Sequence, residues 1–466
     1  GQWCAVGSVK SQIGHAKSAA GIAGLIKATL AIHHGVLPPT IKVDTPLEPL
    51  ANKETPFYLN TEKRPWLRKD DEPRRAAVSA FGFGGSNYHA VLEEPARERD
   101  QITDWDGSVQ MLAFSAGDAA ALKKKLGEWQ APVEWKAIRG EAKSLRAEFK
   151  ASDNCRLVAV VKQGDEAGQI IQRALDRLKS EDKESWEIPT GIYYGSGKKP
   201  GKLALVFSGQ GTQYPGMLRD LACQFPEFKK VLEDADSGFK EYSNGTPDTH
   251  LSDIIYPRGA FTDQETSDQV DRLKLTQHAQ PGIGAVSIGG WYVLAERFGI
   301  NPDAAAGHSY GEICALHAAG TITADEFHAL SSLRGKLMSA GDEDRGSMAA
   351  VTVPLDDIQK VLDEEKLELV IANKNAPAQG VISGKTEEIK RAIEVFNKRD
   401  MRIIPLKVSA AFHSPLVADA TKPFGKHLEK VKFKKGKFPV YSNTTAVEYP
   451  AEQKGVREIL AAQLEN

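Results

Sequence analysis

Cysteine is scarce in this chain. Its 466 residues contain only Cys4, Cys155, Cys223 and Cys314. They are widely spaced, with no Cys-x-x-Cys pair, so neither a zinc site nor a disulfide framework is expected, and a reducing, cytoplasmic setting fits. An excess of one charge is also missing. The 60 Lys and Arg residues nearly balance 62 Asp and Glu, for a net charge of −2. No broad field draws such a chain to nucleic acid or to an anionic membrane. Lys27 interrupts the longest apolar stretch near the N-terminus, so no signal peptide and no membrane span is expected. The glycine loop Phe81-Gly-Phe-Gly-Gly-Ser86 lacks the G-x-G-x-x-G spacing and opens no helix, which argues against a dinucleotide site. Nothing points to a permanently bound cofactor.

What is present is an ordinary globular composition, 41% hydrophobic and 26% charged. The length implies roughly two to four domains. The first residues, Gly1-Gln-Trp-Cys4, run straight into apolar patterning without an initiator Met, and read as part of something larger.

The chain centres on Gly307-His-Ser-Tyr-Gly311, a G-x-S-x-G pentapeptide between the small residues Ala304-Ala-Ala306 and an apolar helical pattern. This predicts a nucleophile elbow, in which a strand turns sharply on Ser309 and a helix begins. The serine hydroxyl would then sit at a helix N-terminus, where backbone N–H groups favour developing negative charge. The strand Leu203–Phe207 runs into Ser208-Gly-Gln-Gly-Thr-Gln213 and offers a second source of N–H groups, at Gln210. A serine of this kind needs a base, and His317, His328, His413 and His427 follow it. His317 falls on the elbow helix and should point away. His413, between a strand end and Ser414-Pro415, is the best placed.

Around this centre the order of segments is legible. Up to Pro95, a small-residue helix over Ala16–Ile32 is stopped by Leu37-Pro-Pro-Thr40, and Ala76–Phe81 and Tyr88–Glu93 read as paired strands. Arg97–Asp100 and Asp104–Asp106 mark a charged boundary. Beyond it, strands at Val109–Ser115 and Arg156–Val161 and helices at Ala119–Trp129 and Ala167–Lys179 suggest a small α+β module. Its lysines Lys123-Lys-Lys125 read as a solvated helix face. Gly195–Lys202 reads as a linker. A helix is expected to run to about Phe298, with Pro281 in its first turn and Gln280 either lining a pocket or capping the helix. Residues 346–408 follow a β-α-β-β-α-β pattern, a ferredoxin-like insertion with Thr386 as a helix N-cap.

Lys10, Gly14-His15 and Gly82-Phe-Gly-Gly-Ser-Asn87 resemble the C-terminal portion of β-ketoacyl synthases. In that family the lysine and histidine act beside a nucleophilic cysteine, for which Cys4 sits in the wrong context. Lys10 and His15 are therefore expected to be remnants of a site that this chain cannot complete. Residues 1–95 would be this incomplete portion, 96–200 a linker domain, and 201–466 a further domain.

That last domain carries Phe207-Ser-Gly-Gln-Gly-Thr-Gln213, Gly307-His-Ser-Tyr-Gly-Glu312, Leu333-Arg-Gly-Lys-Leu-Met338, Asn373-Lys-Asn-Ala-Pro377 and Ala411-Phe-His-Ser-Pro415, in order. It resembles malonyl-CoA:acyl-carrier-protein transacylases, specifically the acyltransferase domains of polyketide synthases. Leu37-Pro-Pro-Thr-Ile-Lys-Val-Asp44 and Val408-Ser-Ala-Ala-Phe-His413 look most like iterative synthases of the enediyne and polyunsaturated-fatty-acid type.

The resemblance implies an α/β hydrolase-like core with the inserted ferredoxin-like subdomain. It implies Ser309 as nucleophile, His413 as base, and the N–H groups of Gln210 and Tyr310 as oxyanion hole. It also implies Arg334 as the group that grips a malonyl carboxylate, where an isolated arginine would be read as a surface ion pair. His308, Gln280 and Asn375 would lie beside the substrate, and the carbonyl of Gln463 would steady His413. Malonyl-CoA and the phosphopantetheine thiol of an acyl carrier protein would be the partners, together with the other domains of the parent synthase.

Three positions depart from or refine that pattern. Ser208 replaces a usual proline. Tyr310 is bulkier than usual and is expected to shrink the pocket. Phe412 is expected to crowd a C2 methyl and so favour malonyl over methylmalonyl. The rival readings are an α/β-hydrolase-like esterase or thioesterase, for which the region offers only acids in helices expected to be exposed, and a non-catalytic docking fragment.

Overall fold

The structure is a computed structural model. It describes residues 2–52, 54–68, 72–95, 107–181, 183–197, 201–240, 250–339, 346–406, 411–414, 416 and 418–464. The boundary residues 97–100, 104–106 and 198–200, the strand end 407–408 and Pro415 lie outside this set. The chain forms two compact units: Gly1–Ile102 together with Lys202–Asn466, and Thr103–Gly201.

The smaller unit is a four-stranded antiparallel sheet in the order Val109–Ala116, Cys155–Lys162, Ile192–Ser196, Ser185–Ile188. The helices Ala119–Glu128, Trp135–Glu148 and Ala167–Ser180 share its apolar core. The helix Trp135–Glu148 escapes a sequence reading because charge is mixed along it, yet Ile138, Ala142 and Leu145 recur at helical spacing and are buried. Gly195 and Ser196, expected in a linker, belong to the strand Ile192–Ser196, paired with Arg156 and Cys155.

In the larger unit a parallel sheet carries the elbow at its centre. Ala304–Gly307 lies between Ala204–Phe207 and Val440–Tyr441, with Phe207 opposite Gly307. The helix Gly311–Ala318 that follows is buried at every residue. The all-small strand before it lets this helix pack closely against the sheet.

The helix Thr276–Tyr292 is also largely buried, and it corrects the expectation for Pro281. The helix begins at Thr276, so the proline lies in its interior. Leu275 at the N-cap makes no side-chain capping bond, which left the true start without a sequence signal. The N-cap of the helix Thr386–Lys398 is likewise Lys385, with Thr386 the first helical residue.

Residues 347–406 form an antiparallel sheet in the order Leu369–Ala376, Gln379–Gly384, Ser347–Val351, Ile403–Leu406. Two helices, Leu355–Glu364 and Thr386–Lys398, complete the ferredoxin-like arrangement around their own core.

The N-terminal segment packs its helix Ala20–His34 on the hairpin Arg75–Phe81/Asn87–Glu93. Arg64 joins it to the acid- and carbonyl-bearing segment beyond Lys202. Its Nη2 meets Asp253 at 2.7 Å and its Nε donates to the Tyr256 carbonyl at 2.9 Å.

Candidate active site

Ser309 has a φ of 49°, in the left-handed region that a non-glycine residue rarely occupies. The strained turn needs glycines beside it. A Cβ on Gly307 would stand 1.9 Å from the Gly311 carbonyl carbon, so strand and helix can meet only through a bare backbone. The neighbouring loop approaches as closely. A Cβ on Gly209 would lie 2.4 Å from the His308 carbonyl oxygen, which brings the loop carrying Gln210 against the elbow.

The serine hydroxyl and His413 Nε2 are 2.8 Å apart, and His413 Nδ1 lies 2.8 Å from the Gln463 carbonyl. A carbonyl can only accept, so the proton sits on Nδ1 and Nε2 is left to accept from Ser309. His413 is buried, and burial, aided by the Arg334 charge, pulls its pKa down to about 4. Around neutral pH the imidazole is therefore unprotonated and available as a base.

Arg334, on the helix Ala324–Ser339, is 1% exposed. Its Nη2 donates to Gln463 Oε1 at 3.1 Å and reaches Ser309 Oγ at 3.4 Å. Among the described residues its Nε and Nη1 have no partner. A buried guanidinium with two unfilled donors beside a serine hydroxyl is a ready receptor for a carboxylate. Burial lowers its pKa only to about 10, so it stays charged.

The remaining candidates fall at different distances from this centre. His308 Nε2 donates to Asn375 Oδ1 at 2.9 Å. Gln280 is 1% exposed and caps nothing. Its Nε2 donates to Gln210 Oε1 at 3.3 Å, while Gln210 Nε2 donates to Thr276 Oγ1 at 3.0 Å, so these side chains hold one another. Phe412 packs in the main core, and its carbonyl accepts from Ser383 Oγ at 2.8 Å. His317, bonded to Tyr292 and to the Ile322 carbonyl, does point away. Lys10 and His15 are exposed, the latter accepting from the Lys17 N–H at 3.0 Å.

Two expectations fail. Tyr310 does not shrink the pocket: its side chain is wholly buried in the core and donates to Ser331 Oγ at 2.7 Å. Gly284 makes the room, since a Cβ there would sit 2.0 Å from the Tyr310 hydroxyl. Nor are all acids of the region exposed. Glu312 is fully buried and accepts from the Asn443 N–H and the Tyr449 hydroxyl. It is still not the partner of the imidazole, because His413 Nδ1 is committed to Gln463.

Residues 204–465 match the family model described as the acyl transferase domain. The chain belongs to the acyl transferase domain family. Residues 1–44 match the β-ketoacyl synthase C-terminal domain, and residues 49–148 the ketoacyl-synthetase C-terminal extension. The chain is 34% identical over 480 residues to a polyunsaturated fatty acid synthase polypeptide of Thraustochytrium sp. (strain ATCC 26185 / S-3), covering 96% of this chain and 17% of that protein. It is 32% identical over 462 residues to the spectinabilin polyketide synthase system protein NorB of Streptomyces orinoci, covering 94% and 20%. The chain thus spans a fifth or less of the length of these relatives.

Among solved structures, the acyltransferase domain of the iterative polyketide synthase in enediyne biosynthesis is similar in fold. Its TM-score is 0.56 at 24% identity, over 77% of this chain and 80% of that one. A type II polyketide malonyl-transacylase solved with its acyl-carrier protein gives a TM-score of 0.50 at 31% identity, over 57% and 82%.

Within this acyl transferase, Asn443 and the side chain of Gln463, as distinct from its expected carbonyl, had no signal in the sequence. Asn443 Oδ1 accepts from the Ser309 N–H at 2.7 Å, and the Gln463 Nε2 donates to the Ser309 carbonyl at 2.5 Å. Asn443 follows the two-residue strand Val440–Tyr441, too short to show a period, although the carboxyl end of a parallel sheet is where such groups gather.

Proposed function

We propose that this acyl transferase moves a malonyl group from malonyl-CoA to the phosphopantetheine thiol of an acyl carrier protein, through Ser309. His413 Nε2 takes the hydroxyl proton while Ser309 Oγ attacks the thioester carbon. The oxyanion forms against the N–H groups of Gln210 and Tyr310. The C–S bond then breaks, and CoA leaves as the thiol with the proton that His413 returns. In the second half the carrier thiol gives its proton to His413 and attacks malonyl-Ser309. The serine leaves with that proton, so no net oxidation or hydrolysis occurs.

Arg334 holds the free carboxylate throughout. The observation that carries this reading is a buried guanidinium whose Nη2 lies 3.4 Å from Ser309 Oγ and whose Nε and Nη1 are unpartnered among the described residues. An acetyl group would leave that charge unanswered. The likeness to a malonyl-transacylase solved in complex with its acyl-carrier protein supports the same kind of partner. Phe412 is proposed to disfavour a C2 methyl. His308 and Asn375 would border the acyl group, and Gln280 would act through Gln210.

The division into residues 1–95, 96–200 and 201–466 is proposed to reflect a ketosynthase remnant, a linker domain and the acyl transferase of a polyketide or polyunsaturated-fatty-acid synthase, working in the cytoplasm with that synthase's other domains. No helix among the described residues is long and apolar enough to cross a membrane.

Incubation with radiolabelled malonyl-CoA tests the reading. Label should appear on Ser309 and pass to an added holo carrier protein. Absence of label, label surviving Ser309→Ala, or release of malonate as fast as transfer would overturn it.

A further inference from the structure

Gln463 touches all three members of the site through different atoms. Its main-chain carbonyl accepts from His413 Nδ1, its Nε2 donates to the Ser309 carbonyl, and its Oε1 accepts from Arg334 Nη2. Both side-chain partners have a single role, since a carbonyl only accepts and a guanidinium only donates. The amide therefore has one permitted orientation. At 1% exposure, water does not compete for these bonds.

The neutrality of this side chain matters as much as its position. Among the described residues Arg334 forms no hydrogen bond or ion pair with a carboxylate, and Nε and Nη1 remain open. Glu312 is near enough to favour the charged guanidinium, but its carboxylate is taken by Asn443 and Tyr449. Gln463 thus aims one nitrogen of Arg334 without neutralising it. A carboxylate in the same place would supply a resident counter-ion and compete with any that arrives on a substrate.

We infer that the Gln463 side chain is a positioning residue. It directs Arg334 at the acyl group on Ser309 and, by being uncharged, reserves the guanidinium for carboxylated acyl thioesters. The inference rests on Arg334 being the carboxylate-binding group.

The test compares kcat/KM for malonyl-CoA and acetyl-CoA in the full chain and in Gln463→Glu, Gln463→Met and Arg334→Ala. Gln463→Glu should lower the malonyl value by roughly 100-fold, mainly through KM, as expected when a buried charge finds another partner. The acetyl value should fall by only about tenfold, for the lost bond to the Ser309 carbonyl, because that substrate has no carboxylate for the engaged guanidinium to miss. Equal loss for both thioesters would mean that Gln463 only supports the elbow, and would overturn the inference. If Gln463→Glu does not fold, Gln463→Met carries the test. It removes both side-chain bonds and should narrow the malonyl-to-acetyl ratio by about tenfold, whereas an unchanged ratio overturns the inference. Arg334→Ala separates the two levels. Equal loss on both thioesters there removes the carboxylate reading itself. Selective malonyl loss there, with none in the Gln463 variants, removes only the role of Gln463.

Discussion

The backbone N–H of Ser309 is bonded to Asn443 Oδ1 across 134 positions of sequence. An N–H so engaged cannot receive a developing oxyanion. In the proposed mechanism that role passes to the next amide, of Tyr310. The same bond helps hold Ser309 at a φ of 49°, a conformation that costs free energy unless its surroundings enforce it. Asn443 is itself held, because its own N–H donates to the buried Glu312.

Asn443→Ala should therefore cost about 1–2 kcal/mol of stability. It should also slow acylation of Ser309 by about 10- to 100-fold, through misplacement of the nucleophile. Denaturant titration and quenched-flow acylation measure the two effects. A wild-type acylation rate would mean that the elbow keeps its geometry unaided.

The pH response follows from His413. Its pKa in the folded protein, about 4, lies below the ordinary 6.5. The unfolded chain therefore binds the extra proton first as pH falls. Stability from this group is complete above about 6.5, declines as pH drops towards 4, and levels off below that, for a total of about 3 kcal/mol at most. Acylation should follow the neutral imidazole, rising through pH 4 and flat by pH 6. A kinetic midpoint near 6.5 would show that the imidazole is not desolvated in this way.

Tyr310→Phe should leave substrate selectivity untouched, because the hydroxyl lies in the core against Ser331. It should cost about 1 kcal/mol of stability for the lost bond. A change in the acyl-CoA profile would place the ring at the pocket instead.

Phe412 is 7% exposed and belongs to the main core, so Phe412→Ser should destabilise the protein by about 3–5 kcal/mol. If the ring also excludes a methyl group, the preference for malonyl- over methylmalonyl-CoA should fall by about 10-fold or more in the variant that remains folded. Competition between the two thioesters at low temperature reads this out, and an unchanged ratio with a lowered Tm would assign Phe412 to packing alone.

The elbow was legible because its requirements are local. Two glycines, a serine and an apolar helix lie within one turn of chain, and the close approach of Gly307 to Gly311 is a property of that turn. The ferredoxin-like insertion was legible for a similar reason, since its strands and helices alternate with clear periods. His413 stood out only as the best placed of four histidines, and Arg334 only through likeness to a family, because 104 and 25 residues separate them from Ser309 and no local rule joins them.

The direction of a side chain was legible for His317, from its place along the elbow helix, but not for Tyr310 or Glu312. Tyr310 follows Ser309 and so reads as a pocket residue. Only the packing of the elbow helix against Gly284 and Ser331 sends its ring into the core. Glu312 likewise sits in a motif that says nothing of its burial, which depends on Asn443 and Tyr449 arriving from the far end of the chain.

The strand, turn and helix of the elbow, the alternation of the ferredoxin-like elements and the place of Ser309 on its turn follow from the sequence alone, because these depend on neighbours within a few residues. Tertiary structure alone decided which distant donors and acceptors meet. The Gln463 side chain could be joined to Ser309 and Arg334 only after the sheet and helices had excluded water and left each buried polar group to find a partner within the fold.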